Sequence, residues 1–178
     1  VEKRPIFLDD QDYRVFLKLF KLYLCEPDLD EINFRPHKDL SGSLELIAYC
    51  LMPNHFHLLV KQHHEKSIID FMRCLTTKYA MYFNRRYRRV GGLFQGVYKA
   101  ALVQQDEYLM HLSRYIHRNP DEYNSPELYP YSSYQHYLSE PPEWLNPRPI
   151  LELFADNASY QDFVEFVDDD SLSAIDQL

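Results

Sequence analysis

The chain has 178 residues, 46% of them hydrophobic and 15% aromatic, and carries 19 Lys and Arg against 27 Asp and Glu for a net charge of −8. That length and apolar content allow a real core and exclude a disordered chain. No run of about 18 apolar residues occurs, which excludes a membrane-spanning helix.

In chain order, residues 10–25 predict an amphipathic helix with Phe16, Leu19, Phe20 and Tyr23 on one side. Residues 27–42 are polar and loop-like, ending at Ser41-Gly42-Ser43. Strands are expected at about 44–51 and 55–62, joined by a turn at Pro53-Asn54. A long helix is expected from about 67 to 87, broken by Gly91-Gly92, and a strand near 97–104. Residues 106–120 predict a second amphipathic helix. Asp106 is its expected N-cap, Leu109, Leu112 and Ile116 form its core stripe, and Pro120 disfavours continuation through Asn119. Pro126, Pro130, Pro141, Pro142, Pro147 and Pro149 then punctuate the chain, so only short helices are expected, near 150–154 and 160–167, with fraying at Asp168-Asp169-Asp170. The fold class is therefore α+β, a ferredoxin-like split βαβ with an antiparallel sheet that lacks its first strand, plus a C-terminal helical extension. The division is a main domain over 1–120 and an acidic, proline-punctuated extension over 121–178.

Two features carry chemistry. The first is Met52-Pro53-Asn54-His55-Phe56-His57. On a strand, i and i+2 share a face, so His55 and His57 are neighbours and form half a metal site; two satisfied or surface histidines are the alternative. The second is the face of the 106–120 helix that carries His111, Tyr115 and Asn119 at spacings of four. A tyrosine one turn from an amide reads either as a nucleophile beside a metal ligand or as a helix C-terminus.

Charge is distributed unevenly. Residues 71–105 hold Arg73, Lys78, Arg85, Arg86, Arg88, Arg89 and Lys99 and no acid, so this segment is +7 and the remainder −15. Tyr79, Tyr82, Phe83, Tyr87, Phe94 and Tyr98 interleave these cations. Basic residues follow phosphates and aromatic rings stack bases, which suits single-stranded nucleic acid; a solvated helix face with core aromatics behind it is the alternative. Cys25, Cys50 and Cys74 are neither a disulfide framework nor a zinc knuckle, and no secretory leader is visible, so a cytoplasmic location is expected.

The motifs Met52-Pro53-Asn54-His55-Phe56-His57, Gly92-Leu93-Phe94-Gln95-Gly96 with Tyr98-Lys99, Tyr115-Ile116-His117-Arg118-Asn119-Pro120 and Tyr131-Ser132-Ser133-Tyr134 occur in this order. Together they resemble the single-tyrosine transposases of the His-hydrophobic-His class, especially the REP-associated tyrosine transposases, from about Pro5 to Val167. The resemblance implies that His55, His57 and Asn119 hold a divalent cation and that Tyr115 attacks a DNA phosphate. It also implies a strand ahead of Arg4-Pro5-Ile6-Phe7 that this chain begins too late to include. Two places depart from the family pattern: Val97, where a basic residue is usual, and Asp121-Glu122-Tyr123, where an aliphatic and basic stretch is common.

On this reading the enzyme nicks and transfers single-stranded or hairpin DNA through a 5′-phosphotyrosine. Mixed nitrogen and oxygen ligation suits Mg²⁺ or Mn²⁺. DNA contacts are expected from Lys78, Arg85, Arg86, Arg88, Arg89, Lys99, Arg114 and Arg118, with the protein acting as a monomer or homodimer and no membrane partner. Two rivals are a non-catalytic nucleic-acid-binding module and a zinc metallohydrolase using His55, His57 and His63 or His64, with Glu65 as base.

Overall fold

The computed structural model describes residues 4–26, 38–122 and 125–166. Most of the expected 27–42 loop, the end of the last expected helix at Val167 and the acidic run 168–170 lie outside them. The order is α1 (Asp10–Leu24), β1 (Leu44–Met52), β2 (His55–Gln62), α2 (Ser67–Arg86), α3 (Asp106–Arg118), α4 (Tyr134–Leu138), α5 (Arg148–Leu151) and α6 (Asn157–Glu165), with 3-10 turns at Asn119–Glu122 and Pro126–Leu128. The class is α+β. β1 and β2 form a two-stranded antiparallel hairpin sheet.

The strand expected near 97–104 is not formed among the described residues. Val97 and Leu102 are 87% and 81% exposed. Of Val97, Leu102 and Val103, the last alone packs on the core of its unit, and a segment without a strand neighbour gains no ladder bonds. The expected N-cap also moves: Gln105 is the cap and Asp106 the first helical residue of α3. Asn119 keeps helical dihedrals despite preceding Pro120, because the chain tightens there into a 3-10 turn.

The chain divides into two compact units. One comprises Val1–Glu45, Pro53–His55 and Val60–Tyr98; the other Leu46–Met52, Phe56–Leu59 and Lys99–Leu178. In the first unit, Asp9 caps α1 by accepting from the Gln11 and Asp12 amides, and α1 packs on α2. The core between them is aromatic: Phe7 stacks on Tyr13 with centroids 4.4 Å apart, and Phe16 meets Phe20 and Tyr79 edge to face. The rings expected to stack bases thus mostly serve packing, since Tyr79 and Phe83 are buried.

Asp12 is fully buried in this unit. It accepts from the Leu8 amide at 2.8 Å, from the Tyr82 and Tyr87 hydroxyls at 2.9 Å each, and from Arg86 at 2.8 Å. A buried carboxylate persists only when so surrounded. Those bonds hold the start of α1 and the end of α2 together, and burial, with the Asp12 carboxylate second, pushes the Tyr87 hydroxyl up to about 12.

In the second unit, β1 meets the later chain along the edge away from β2. The Leu51 amide donates to Tyr131 O at 2.9 Å, the Ser133 amide to Tyr49 O at 2.9 Å, and the Asn146 amide to Leu46 O at 2.8 Å. Tyr129 and Tyr137 donate from their hydroxyls to Leu51 O and Ile47 O. Ile116, Tyr134, Tyr137, Ile150, Tyr160 and Val164 close the core around this strand.

Asp12→Ala strips three neutral donors and Arg86 of a common acceptor. Urea unfolding is expected to show a loss of about 3 kcal/mol, with Asp12→Asn losing less because one carbonyl oxygen remains; equal losses would refute that role for the carboxylate.

Candidate active site on the hairpin and the tyrosine helix

β2 carries both histidines, so its alternation directs His55 and His57 to one face. His55 opens the strand, immediately after the turn. Its Nδ1 lies 2.6 Å from the Asn54 side-chain oxygen. His57 is partly buried, with its Nε2 shielded from solvent. The His57 and Tyr115 rings meet edge to face, 5.6 Å between centroids at 85°.

Tyr115 comes from α3. The helix turns Ser113, Arg114, Ile116 and His117 into the protein and leaves Tyr115 and Asn119 half-buried. Asn119 lies one turn beyond Tyr115, and its Nδ2 points to Tyr115 O at 3.4 Å. The amide nitrogen is thereby turned to the helix, and the carbonyl oxygen, the end that can ligate a hard cation, is turned away from it. His111, on the same helical face in sequence, packs instead against Phe163, 5.5 Å between ring centroids.

What sequence reasoning missed is how α3 is held. His117 is fully buried, and its two nitrogens lie 2.7 Å from the Tyr160 and Ser133 hydroxyls. Ser133 Oγ in turn accepts from the Tyr49 amide of β1 at 2.8 Å. A neutral imidazole suits this place, donating through one nitrogen and accepting through the other. The signal was present in Tyr131-Ser132-Ser133-Tyr134, but nothing local pairs a serine with a histidine 16 residues earlier. Asn54 likewise stands out in the sequence only as part of its motif.

The basic candidates separate by environment. Arg86 pairs with Asp9 at 2.6 Å and with Asp12. Arg114 is buried, its guanidinium 4.6 Å from the Phe163 ring centroid. Arg118 pairs with Asp121 at 2.6 Å and donates to Val164 O at 3.0 Å. Arg89 leans over Phe83, 5.7 Å from the ring centroid. Lys78, Arg85, Arg88 and Lys99 face solvent. The acids that take Arg86 stand more than 70 residues before it, beyond any local charge pattern.

Imidazole nitrogen and amide oxygen are each donors that a divalent cation with mixed ligation accepts. The zinc arrangement gains nothing. Among the described residues no three His, Cys, Asp or Glu side chains gather into a metal-binding group, and His63 is bonded to Glu45. No helix of the described residues is long and apolar enough to cross a membrane.

Residues 36–119 match the family model described as Transposase IS200 like. The match spans the hairpin, α2, α3 and Asn119. No curated protein and no solved structure matches the chain.

Burial holds the His117 imidazole well below its ordinary range, at about 3. The unfolded chain, titrating near 6.5, takes up a proton that the folded protein refuses. Stability from this residue is therefore complete above about pH 6.5 and is lost as pH falls from there toward 3. Its expected share is up to about 1.4 kcal/mol per pH unit. Unfolding measured from pH about 7 to about 5 should show that slope in wild type and a shallower one in His117→Gln; identical slopes would rule the assignment out.

Proposed function

We propose that this chain, whose residues 36–119 belong to the IS200-like transposase family, nicks and rejoins single-stranded or hairpin DNA through a covalent link to Tyr115. The family carries transposase-like DNA processing; the nucleophile, the metal and the form of the DNA are our reading. The observation that carries it is the edge-to-face contact between Tyr115 and His57, with Asn119 one turn beyond the tyrosine. That contact sets a phenol beside one imidazole of the pair, where a nucleophile is required.

Tyr115 Oη attacks the scissile phosphorus in line. A new P–O bond forms to the tyrosine as the P–O3′ bond breaks. The phenol loses its proton as it bonds to phosphorus and the leaving oxygen gains one to become a 3′-hydroxyl, so the count is unchanged, and the 5′ end stays on the enzyme as a phosphotyrosine. The phosphodiester is exchanged rather than hydrolysed, so rejoining needs no nucleotide cofactor. A phenol, which ordinarily ionises near pH 10, is a weak nucleophile at neutral pH. A divalent cation, Mg²⁺ or Mn²⁺, held by His55, His57 and Asn119 would polarise the phosphate and offset the charge developing on it. α3 sets the phenol's reach through its buried anchor at His117, which is preorganisation that an attacking side chain needs.

The solvent-facing cations Lys78, Arg85, Arg88 and Lys99 support contact with DNA phosphates. Arg86, Arg114 and Arg118 already have internal partners and act on the fold. A non-catalytic binding module would use the same cations and no tyrosine chemistry.

Two measurements test this reading. A labelled single-stranded hairpin incubated with the enzyme and Mn²⁺ should give a covalent protein–DNA band that disappears in Tyr115→Phe; a band persisting in that variant assigns the nucleophile elsewhere, and no band with wild type favours the binding module. Arg85→Ala and Arg88→Ala should each flatten the log–log salt dependence of DNA affinity by roughly 0.7 to 0.9 of a unit for each phosphate no longer neutralised. Arg86→Ala should instead lower thermal stability. The opposite pattern would relocate the DNA path.

A further inference from the structure

The turn that introduces the histidine pair is itself held. Pro53 O accepts from two successive amides, Ile6 at 2.7 Å and Phe7 at 3.1 Å. The same N-terminal segment is pinned from the other side, because the Tyr79 hydroxyl donates to Ile6 O. Phe7 is buried against Tyr13, Phe16 and Tyr79. Asn54 therefore sits on a turn that cannot swing without breaking two backbone hydrogen bonds. Its side-chain oxygen is aimed at the next ring, 2.6 Å from His55 Nδ1.

An amide oxygen can only accept. The contact therefore requires a proton on His55 Nδ1 and leaves the lone pair on Nε2. We propose that Asn54 is a positioning residue for the histidine pair: it selects the Nδ1–H tautomer of His55, fixes the ring, and makes Nε2 the ligating atom. This rests on the reading of His55 as a metal ligand. Ligating histidines commonly donate their other N–H to an oxygen acceptor, which sets the tautomer and raises the basicity of the ligand. Here the acceptor comes from the adjacent residue. The pinned turn holds the two neighbouring side chains in that contact. The construction thus runs from Ile6 and Phe7 through Pro53 to Asn54 and His55, all within one unit.

Isolated histidine favours the opposite tautomer, Nε2–H, which gives the proposal a readout independent of metal and of catalysis. The test uses the full chain with 15N-labelled histidine and long-range proton–nitrogen correlation spectra of the metal-free protein. The pH is set near 8, above the ordinary imidazole range. His55 signals are identified by their loss in His55→Gln, and His57 serves as an internal control. Wild type should show His55 protonated on Nδ1. Asn54→Ala should move it toward Nε2–H, with His57 unchanged, and should weaken Mn²⁺ binding by calorimetry by roughly 10- to 100-fold. Asn54→Asp keeps an acceptor in place, so it should retain the wild-type tautomer and bind Mn²⁺ at least as well as wild type. This second variant separates loss of the acceptor from damage to the turn. A His55 tautomer that is Nε2–H in wild type, or that is unmoved by Asn54→Ala, overturns the positioning role whatever the metal affinity. A wild type that shows the tautomer shift on substitution yet binds no Mn²⁺ overturns the metal reading, and the role with it.

Discussion

β1 is buried along almost its whole length, and a buried strand cannot leave backbone amides and carbonyls unmet on either edge. β2 serves one edge. The other is served by residues 131–133 and 145–146, through direct amide bonds and bridges at Cys50–Ser132 and Leu46–Leu145. The proline-rich stretch after residue 121 suits this task. Prolines forbid long helices, and the chain is left in short extended pieces that can lie along a strand. Once Ser133 is fixed on β1, its hydroxyl becomes an acceptor at a defined place, and His117 of α3 closes on it. The position of the tyrosine helix follows from the need to satisfy one strand.

The same rule sorts the charges. Cations that the fold buries against a carboxylate or a packed ring become part of it. Asp12 is sealed among Tyr82, Tyr87 and Arg86, so Arg86 neutralises a charge the interior could not otherwise hold. Arg114 covers Phe163, and Arg118 is taken by Asp121. What remains outward is a smaller basic set than the sequence contains, on a chain whose net charge is −8. Local field, not net charge, governs how such a surface meets a polyanion.

This division explains what the sequence could show. Period-two and period-3.6 patterns placed β1, β2, α1, α2 and α3 within a residue or two, because each buries a stripe that its own residues spell out. The two short C-terminal helices were legible near their places for the same reason. The strand near 97–104 was not formed, because apolar residues such as Val97, Leu102 and Val103 state a preference and a strand needs a partner as well. The aromatic run 79–98 looked like a stacking platform, since composition cannot tell a ring facing a base from one facing Phe16. The His55–His57 pair and the Tyr115–Asn119 spacing were legible because each is local. Their supports, Asn54 apart, were not, because Ser133, Tyr160 and Tyr49 reach the tyrosine helix only through the tertiary fold.

Three imidazoles in this chain then differ only by surroundings. His117 is sealed, bonded at both nitrogens, and held neutral far below its ordinary range. With both lone pair and N–H committed, it can neither ligate nor shuttle a proton. Its contribution is to hold a helix in register. His55 and His57 lie at the start of a half-buried strand, in surroundings less closed than those of His117. A metal ligand must be neutral and must present its lone pair outward, so the protein has to control which nitrogen carries the proton as well as where the ring lies. At His117 two hydroxyls take both nitrogens. At His55 an amide oxygen meets Nδ1, and on our proposal Nε2 becomes the ligating atom.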